Sequence, residues 1–323
     1  MEIGSFIELQ MPNGMEYYND DRDGGMEIAR LNTGRTAIYH AFTITNCKAI
    51  WIPYYQCETV KAFFERKNVQ CKYYHIDESF TPIDATPSND EAILLVNYYG
   101  IMSVDRMKCL AKRFRNVIID NSQAFFADPI KNCLNVYSAR KFIGVPDGAY
   151  VIGEKATLGY NGYEQGYSSD TALFMLQRIE YGCEGKAYIS RTENENRIDM
   201  EECKKMSKLT RYILDGTDYN LIRNKRKENF KTAHYLFKDV NKLNPIVYYD
   251  ESCTPMVYPL LVESDDLLEK MLKAKHFQGH WWKWVEDNLV SNAFEKWLSR
   301  YMIPITIDQR YGVEHLRYLR GLL

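Results

Sequence analysis

The sequence predicts an α/β protein with a large domain on a mostly parallel sheet and a smaller C-terminal α+β domain. In the first part of the chain, short apolar runs alternate with segments whose apolar residues recur at helical spacing, as in βαβ units. Beyond about residue 155, long charged helical patterns replace these runs. A chain of 323 residues has room for two domains of ordinary size. We therefore predict a large domain over 1–220 and a small domain over 221–323.

Six apolar runs indicate the strands of the large domain. In chain order they cover 48–53, 69–74, 92–99, 117–120, 134–138 and 148–152. Helices are predicted over 57–67 and 104–114, because their apolar residues fall on one helical face. The third run is continuously apolar, which suits a strand covered on both faces. In the small domain we expect a strand near 255–262 and then a helix. A tryptophan cluster beyond them is expected to pack inside that domain: Trp281, Trp282 and Trp284.

Composition and charge narrow the range of partners. Lys and Arg total 41 and Asp and Glu total 43, which gives a formal net charge of −2. Nucleic-acid and anionic-membrane binders usually carry a basic excess, so neither partner is expected. Residues 1–5 lack the basic start of a targeting signal, and no apolar stretch approaches the roughly 18 residues of a membrane-spanning helix. Eight cysteines without a C-x-x-C pair favour free thiols in a reducing cytoplasm, and no metal site is expected.

Two residues at predicted strand ends form a pair with a known chemical use. Ligands of open α/β sheets bind where parallel strands end. Asp120 closes one predicted strand and Lys141 follows another, 21 positions later (141 − 120). Pyridoxal phosphate (PLP) needs such a pair, because a lysine amine bonds to its aldehyde carbon and a carboxylate keeps its pyridine nitrogen protonated. Taken singly, such a lysine is more often a surface residue and such an aspartate a turn residue.

A phosphate site is predicted at the start of the first helix. Asn32, Thr33 and Gly34 precede an apolar helical face that continues through Ile38 and Phe42. The N-terminus of a helix offers unpaired N–H groups and a partial positive charge, and both suit a phosphate. The alternative is an ordinary N-cap at Asn32 or Thr33, without any ligand.

Five segments resemble the DegT/DnrJ/EryC1/StrS aminotransferase family, and they occur in the family's order over nearly the whole chain. Residues 33–37 resemble the family's phosphate turn, and 52–57 resemble its Pro-x-Tyr-Thr segment. Residues 118–124 resemble its Glu-Asp-x-x-Gln/His strand end, and 138–141 with 147–149 resemble its Ser-to-Lys segment and the glycines after it. Residues 303–311 resemble its Leu-Pro-x-His/Asp segment. The resemblance implies the fold of a fold-type-I PLP-dependent transferase, with PLP as cofactor.

The resemblance also implies a role for each matching residue. Lys141 would bond to PLP, Asp120 would pair with the pyridine nitrogen, and Gln123 would hydrogen-bond near the ring oxygen. The other cofactor-binding residues that it implies are Gly34, Arg35 and Thr36 at the phosphate turn, Ser138, and Cys57 at the position that usually stacks on the ring. A thiol covers less of the ring than the aromatic side chain that many relatives have at that position.

The activity implied by the resemblance is amino transfer from an amino-acid donor to a keto group of a nucleotide-linked sugar. Two alternatives stay open. A PLP-dependent sugar dehydratase of the same superfamily would have histidine in place of Lys141, and a catalytically degenerate member would keep the fold for a regulatory or assembly role. A homodimer with shared active sites is also implied, and a loop rich in tyrosine and glycine over 160–167 fits an interface. The nearest match to the family's partner-reaching segment is 194–197.

Overall fold

The computed structural model describes residues 6–19 and 25–323, so the predicted absence of a targeting signal over 1–5 lies outside the described residues. The strands of the main sheet are β1 (Glu27–Leu31), β2 (Ala49–Pro53), β3 (Gln70–Tyr74), β4 (Glu91–Val96), β5 (Asn116–Asn121), β6 (Leu134–Ser138) and β7 (Ala149–Gly153). They form a seven-stranded sheet in the order β1-β7-β6-β5-β4-β2-β3. The pairings of β7 with β1 and β6 are antiparallel and the other four are parallel. The predicted mostly parallel sheet is therefore confirmed.

All six predicted strands are present, with ends shifted by a few residues. The third ends at Val96, because 98–100 form a 3₁₀ turn in which Tyr99 is left-handed, with a φ of 58°. The pattern does not predict β1. Its five residues begin with Glu27 and include Arg30, so the apolar run is too broken to stand out.

Both faces of the main sheet are covered. The helices that follow the first strands are α1 (Gly34–Thr45), α2 (Glu58–Arg66) and α3 (Val104–Ala111). Along β4, Ala92 and Leu94 join the hydrophobic cluster of α1 and α2, whereas Ile93 and Leu95 join the cluster that includes α3. All four side chains are buried, as expected for a strand covered on both faces.

Four helices follow the main sheet where the sequence predicts long charged helical patterns. They are α4 (Leu173–Tyr181), α5 (Lys186–Met200), α6 (Lys208–Asp215) and α7 (Tyr219–Phe237). α4 and α5 pack against each other and are joined by 182–185. Ser207 and Asp218 cap α6 and α7 by accepting backbone N–H groups of the first turn, which fixes where each of these helices begins.

The C-terminal part is built on a two-stranded antiparallel sheet. Its elements are β8 (Val257–Leu261), α8 (Leu267–Lys273), α9 (Lys283–Asp287), α10 (Ala293–Tyr301), β9 (Met302–Thr306) and α11 (Val313–Arg320). α7 packs against β8 and α11. One hydrophobic core joins this part to the edge of the main sheet, since Tyr98 and Leu260 belong to the same cluster. The boundary predicted between 220 and 221 falls in the first turn of α7 and stays a prediction. Within residues 6–19 and 25–323, no helix has both the length and the apolar character needed to cross a membrane.

Candidate active site

The predicted residues on β5 and β6 lie at the carboxyl ends of these parallel strands, which together form one edge of the main sheet. The register pairs Val96 of β4 with Asp120 of β5, and Asp120 with Val136 of β6. Ser138 follows two residues later at the end of β6, and Lys141 ends the 3₁₀ turn that comes next. Neighbouring strands are about 4.8 Å apart. The carboxylate, the serine hydroxyl and the lysine turn therefore belong to adjacent strands at the same edge.

The start of α1 meets this edge at Gly34. A Cβ atom at Gly34 would lie 3.2 Å from Ser122 Oγ and 4.0 Å from Ser138 Oγ. Because glycine has no side chain, the hydroxyls that follow β5 and end β6 can both approach the first turn of α1. We call this arrangement of Gly34, Ser122 and Ser138 the cradle.

The cap of α1 determines which of its N–H groups stay free. Thr33 Oγ1 accepts the N–H of Thr36 at 3.3 Å, and Thr36 Oγ1 accepts the N–H of Thr33 at 3.2 Å. In the described part of the chain, the N–H groups of Gly34 and Arg35 have no hydrogen-bond partner. An anion in the cradle would therefore meet two free N–H groups and the positive end of a 12-residue helix. Thr33 can therefore cap α1 while the same turn binds a phosphate, so the two interpretations of this segment are compatible.

The side chains of Thr36 and Arg35 are engaged elsewhere. Thr36 Oγ1 donates to Asn32 Oδ1 at 2.7 Å within the cap, so contact between this hydroxyl and a phosphate would require breaking that bond. The guanidinium of Arg35 forms an ion pair with Asp199 of α5. What Arg35 can offer to the cradle is its backbone N–H, and its contact with a phosphate stays a prediction.

The carboxylate of Asp120 is held on one side and free on the other. Its Oδ1 accepts the N–H of Ser122 at 2.8 Å, which fixes the carboxylate against its own turn. Its Oδ2 accepts no hydrogen bond from residues 6–19 or 25–323. The side chain is half-buried. Asp120 can therefore present one oxygen to a ligand while the other stays fixed.

The amide of Gln123 is oriented by the turn after β4. Its Oε1 accepts the N–H of Tyr99 at 2.8 Å. This turn packs closely on the Gln123 backbone because a Cβ at Gly100, where φ is 71°, would clash with the carbonyl oxygen of Gln123. The amide oxygen is thus occupied, and the amide nitrogen is the group that could donate to the ring oxygen of a cofactor.

Lys141 is the most open of the predicted residues. Its side chain is exposed, and it forms no hydrogen bond or ion pair with the described residues. The residues on either side of it are fixed, since Arg140 forms an ion pair with Glu195 of α5 and Phe142 is buried. The backbone of the lysine turn is therefore held while the amine stays accessible.

Cys57 lies at the same sheet edge, after β2. It is the N-cap residue of α2, and its Sγ lies 3.1 Å from Thr59 Oγ1. The residue before it, Gln56, is buried, and neither polar atom of its amide has a hydrogen-bond partner among the described residues. The stacking of Cys57 on a cofactor ring stays a prediction.

Aromatic side chains from both parts of the chain form a wall beside the strand ends. Tyr55 and Tyr99 share a hydrogen bond of 2.8 Å between their hydroxyls. The ring centroids of Trp282 and Tyr55 are 4.6 Å apart, and those of Trp281 and Tyr99 are 5.8 Å apart. Burial raises the pKa of both tyrosines, so both stay neutral phenols at neutral pH. The tryptophans thus pack against the main sheet, whereas the sequence predicts packing within the small domain.

Asp147 lies in the segment that resembles the family's glycine-rich motif, and its buried carboxylate is bonded to the start of α6. Burial raises its pKa, although hydrogen bonds from Thr210 and Ser207 oppose the rise. Its carboxylate accepts the Ser207 hydroxyl at 2.7 Å and the Ser207 N–H at 2.9 Å. Asp147 therefore ties the start of α6 to the loop before β7.

Sequence reasoning gave no role to two polar residues of this edge. Ser122 belongs to the cradle, and Asn97 donates its backbone N–H to the carbonyl of Asp120. Asn97 is buried, and within residues 6–19 and 25–323 its Oδ1 has no hydrogen-bond partner. Asn97 directly follows β4 and Ser122 directly follows β5. Position after a strand end is the signal for Ser122, whereas the predicted strand 92–99 runs through Asn97 and conceals it.

Several solved structures have a fold similar to that of this protein. No family profile and no curated protein matches this sequence, but many solved structures do. The sugar aminotransferase CalS13 from Micromonospora echinospora is 12% identical, has a TM-score of 0.63, and aligns over 91% of this chain and 86% of its own. The GDP-4-keto-6-deoxy-D-mannose-3-dehydratase of E. coli is 14% identical, has a TM-score of 0.65, and aligns over 94% of this chain and 89% of its own.

A DegT/DnrJ/EryC1/StrS aminotransferase from Brucella abortus is also similar, with 12% identity and a TM-score of 0.57 over 94% of this chain and 86% of its own. Identities this low are informative about the fold alone. The chain has the fold-type-I architecture of PLP-dependent transferases, as its sequence predicts.

Proposed function

We propose that this protein is a PLP-dependent aminotransferase that moves an amino group from an amino-acid donor to the keto group of a nucleotide-linked sugar. The observation that carries the proposal is the position of the cradle beside Asp120 and Lys141 at one sheet edge. Structures with the same fold give further support. PLP is bound in the E. coli dehydratase, and a putative sugar aminotransferase from Streptococcus pneumoniae is in its PMP form.

The cradle has the donors that a phosphate requires. The N–H groups of Gly34 and Arg35 have no partner in the part of the chain that the structure describes, and the hydroxyls of Ser122 and Ser138 approach the same point. Hydrogen bonds to an anion are stronger than those between neutral groups. A bound phosphate would thus fill the space where any larger residue at Gly34 would place its side chain.

Asp120 would act on the cofactor's ring. When bound, PLP withdraws electrons from the reacting carbon of the substrate. Asp120 would hold the proton of the pyridine nitrogen through Oδ2, while the N–H of Ser122 keeps Oδ1 in place. A negative charge at this point favours the protonated ring nitrogen.

Lys141 would carry the covalent link and move the proton. Its Nζ is exposed and, in the described structure, has no ion-pair partner, so it is free to reach a cofactor held in the cradle. After the donor displaces it, Nζ would take the proton from the substrate carbon and return it on the cofactor side.

The two tryptophans of the aromatic wall would give the substrate a surface near these groups. Trp281 and Trp282 are only partly buried, so their rings can meet a ligand, whereas Tyr55 and Tyr99 are fully buried behind them. Small-molecule sites commonly combine aromatic surface with a few polar groups in this way. A nucleotide-linked keto sugar needs both kinds of contact.

Residue 141 favours the aminotransferase over the two alternatives. The fold does not separate them, because a sugar aminotransferase and a dehydratase match it about equally well. Family dehydratases carry histidine where this chain has Lys141. A degenerate protein would have no need of Lys141, Asp120, Gln123 and Ser138 together, and all four are present.

We also propose a homodimer, in which α4 and α5 contribute to the contact. These helices expose large apolar side chains: Leu173, Leu176, Ile179, Tyr188 and Ile189. Several exposed large apolar side chains on two packed helices favour an interaction site, and a two-fold dimer would bury them against its own copy. α5 also forms ion pairs with Arg35 and Arg140, which neighbour Gly34 and Lys141. A partner bound to this hairpin would therefore lie close to the site.

The first experiment locates the covalent link. The protein is purified with PLP, reduced with borohydride and digested, and the modified peptide is identified by mass spectrometry. We expect the adduct on Lys141, and Lys131→Ala, an exposed lysine away from the strand ends, should leave it unchanged. PLP bound without an adduct on Lys141 would refute the assignment.

A second experiment separates the activities. Candidate nucleotide-linked keto sugars are supplied with amino-acid donors, and the products are analysed by mass spectrometry. An aminotransferase gives an amino sugar together with the keto acid of the donor, whereas a dehydratase gives a deoxygenated sugar. PLP binding with no turnover of any donor in a single half-reaction would favour the degenerate alternative.

A further inference from the structure

The residue after Lys141 is held by the C-terminal part of the chain. The carbonyl oxygen of Phe142 accepts a hydrogen bond of 3.0 Å from Gln309 Nε2. The guanidinium of Arg226 lies over the Phe142 ring, 4.5 Å from its centroid. Gln309 follows β9 and Arg226 belongs to α7. Two elements outside the main sheet thus contact the residue next to the predicted catalytic lysine.

The segment that carries Gln309 is itself fixed. Asn229, one helical turn after Arg226 on α7, donates through Nδ2 to the carbonyls of Ile307 at 3.1 Å, Asp308 at 3.3 Å and Tyr311 at 3.1 Å. Asn229 is buried. One amide therefore holds the backbone on both sides of Gln309, which is a rigid support for a hydrogen bond.

The charged groups beside this segment also hold it in place. Arg310 Nε and Nη2 bind the two carboxylate oxygens of Asp308, at 2.9 and 2.7 Å. Arg226 donates to the carbonyl of Met256 at 2.8 Å. Burial lowers the pKa of Arg226 to about 10, so it remains a cation over the Phe142 ring at neutral pH.

On the other side, Phe142 is anchored to the main sheet. Its N–H and that of Ile143 both donate to the carbonyl of Ala139 at 2.9 Å. Its ring packs against Phe125 and Phe126, with centroid distances of 6.0 and 5.7 Å. The lysine turn is thus bonded to the main sheet at its start, where the Ala139 N–H donates to the carbonyl of Gly148 just before β7, and to the C-terminal segment at its end. The Gln309 bond is the side-chain hydrogen bond that closes the second connection.

We propose that Gln309 is a positioning residue for Lys141: by holding the Phe142 carbonyl, it sets where the lysine turn places Nζ. This inference rests on the proposed function. Without the donor, the Phe142 carbonyl loses its partner and the turn can shift. A displacement of about 1 Å at a reacting group can cost roughly 100-fold in rate. We therefore expect Gln309→Ala to lower the rate of the first half-reaction at least tenfold, with cofactor affinity changed less than twofold.

The matched control is Gln278→Ala. Gln278 Nε2 donates to Thr306 Oγ1 at 2.7 Å, so this variant loses the same kind of bond near the same segment but away from Phe142. Gln309→Glu keeps the shape of the side chain and removes the donor, so it should behave as Gln309→Ala does. Unfolding midpoints of all the variants establish that they are folded.

Hydrogen–deuterium exchange on cofactor-free protein provides a readout that needs no activity. The N–H groups of Phe142 and Ile143 are bonded within the turn, and we expect the peptide 139–145 to exchange faster in Gln309→Ala than in Gln278→Ala. Equal exchange in the two variants would overturn the proposal, and so would faster exchange without a greater loss of rate. If wild-type protein forms no adduct on Lys141, the proposed function fails instead, and the exchange result still reports whether Gln309 holds the turn.

Discussion

Gly34→Ala should separate cofactor binding from folding. The added Cβ would lie 3.2 Å from Ser122 Oγ and 3.7 Å from Ser138 Cβ, which is tight but can be relieved by shifts of a few tenths of an ångström. Alanine also suits a helix better than glycine, by about 0.5–1 kcal/mol. The two effects oppose each other, so we expect the free energy of unfolding of the cofactor-free protein to change by less than about 1 kcal/mol.

The same methyl group occupies the cradle. A phosphate must then move away from the free N–H groups of Gly34 and Arg35, or from one of the two hydroxyls. Loss of one hydrogen bond to a charged group costs about 1.5–3 kcal/mol, and each 1.4 kcal/mol is about tenfold in Kd. We therefore expect PLP to bind about 10- to 100-fold more weakly.

Equilibrium dialysis of PLP measures this effect, best in a Lys141→Ala background, where no covalent link hides the contribution of the phosphate. The control is Gly162→Ala, because a Cβ at Gly162 would meet no atom within 4 Å. If Gly34→Ala and Gly162→Ala bind PLP within twofold of each other, the cradle is not the phosphate site.

The remaining predictions concern three separate parts of the molecule. Asp120→Asn should slow the half-reaction at saturating cofactor by at least tenfold and leave PLP affinity nearly unchanged, since it removes the charge at the ring nitrogen; an unchanged rate would make Asp120 an ordinary turn residue. Ile179→Asp, which changes a side chain that is 81% exposed on α4, should shift the protein to monomers in analytical sedimentation. Its control, Tyr235→Asp, changes a side chain that is 74% exposed on α7 and should leave the dimer intact. If both variants have the same oligomeric state, α4 is not part of the interface. Burial, with a smaller effect of His315, lowers the pKa of His276 from 6.5 to about 4, so the folded protein excludes a proton that the unfolded chain binds. Wild type should therefore lose about 1.6 kcal/mol of unfolding free energy relative to His276→Gln as pH falls from 6.5 to 5. Urea unfolding at each pH measures this loss, and parallel curves for the two proteins would contradict it.

The parts of the site that sequence could predict are those determined by strand ends. Asp120 and Ser138 end parallel strands, and because those strands pair in register, the two residues lie at the same edge. The convergence of Ser122 and Ser138 on Gly34 was beyond such reasoning. It depends on how closely the start of α1 approaches the sheet, across more than 80 residues of chain, and local pattern carries no signal for that distance.

Contacts made by the C-terminal part were unpredictable for a similar reason. Gln309 reaches Phe142 across 167 positions, and the tryptophans that read as packing of the small domain lie instead against Tyr55 and Tyr99. The residue type of an apolar or amide side chain does not indicate which distant surface it will contact in the folded protein. β1 was missed because its partner β7 supplies the pairing that its own broken apolar run does not signal.

If the proposed homodimer forms, the contact over the hairpin of α4 and α5 would stabilise the position of α5 more than its ion pairs do. Its carboxylates Glu195 and Asp199 are partly exposed where they meet Arg140 and Arg35, and such pairs contribute about 0–1 kcal/mol each because water screens them. Burying one large apolar side chain contributes about 1.5–3 kcal/mol, and α4 and α5 expose several of these side chains. A second copy that covered the hairpin would therefore outweigh both ion pairs. Those pairs involve Arg35 and Arg140, the residues next to Gly34 and Lys141, so the hairpin contacts the chain at both ends of the candidate site.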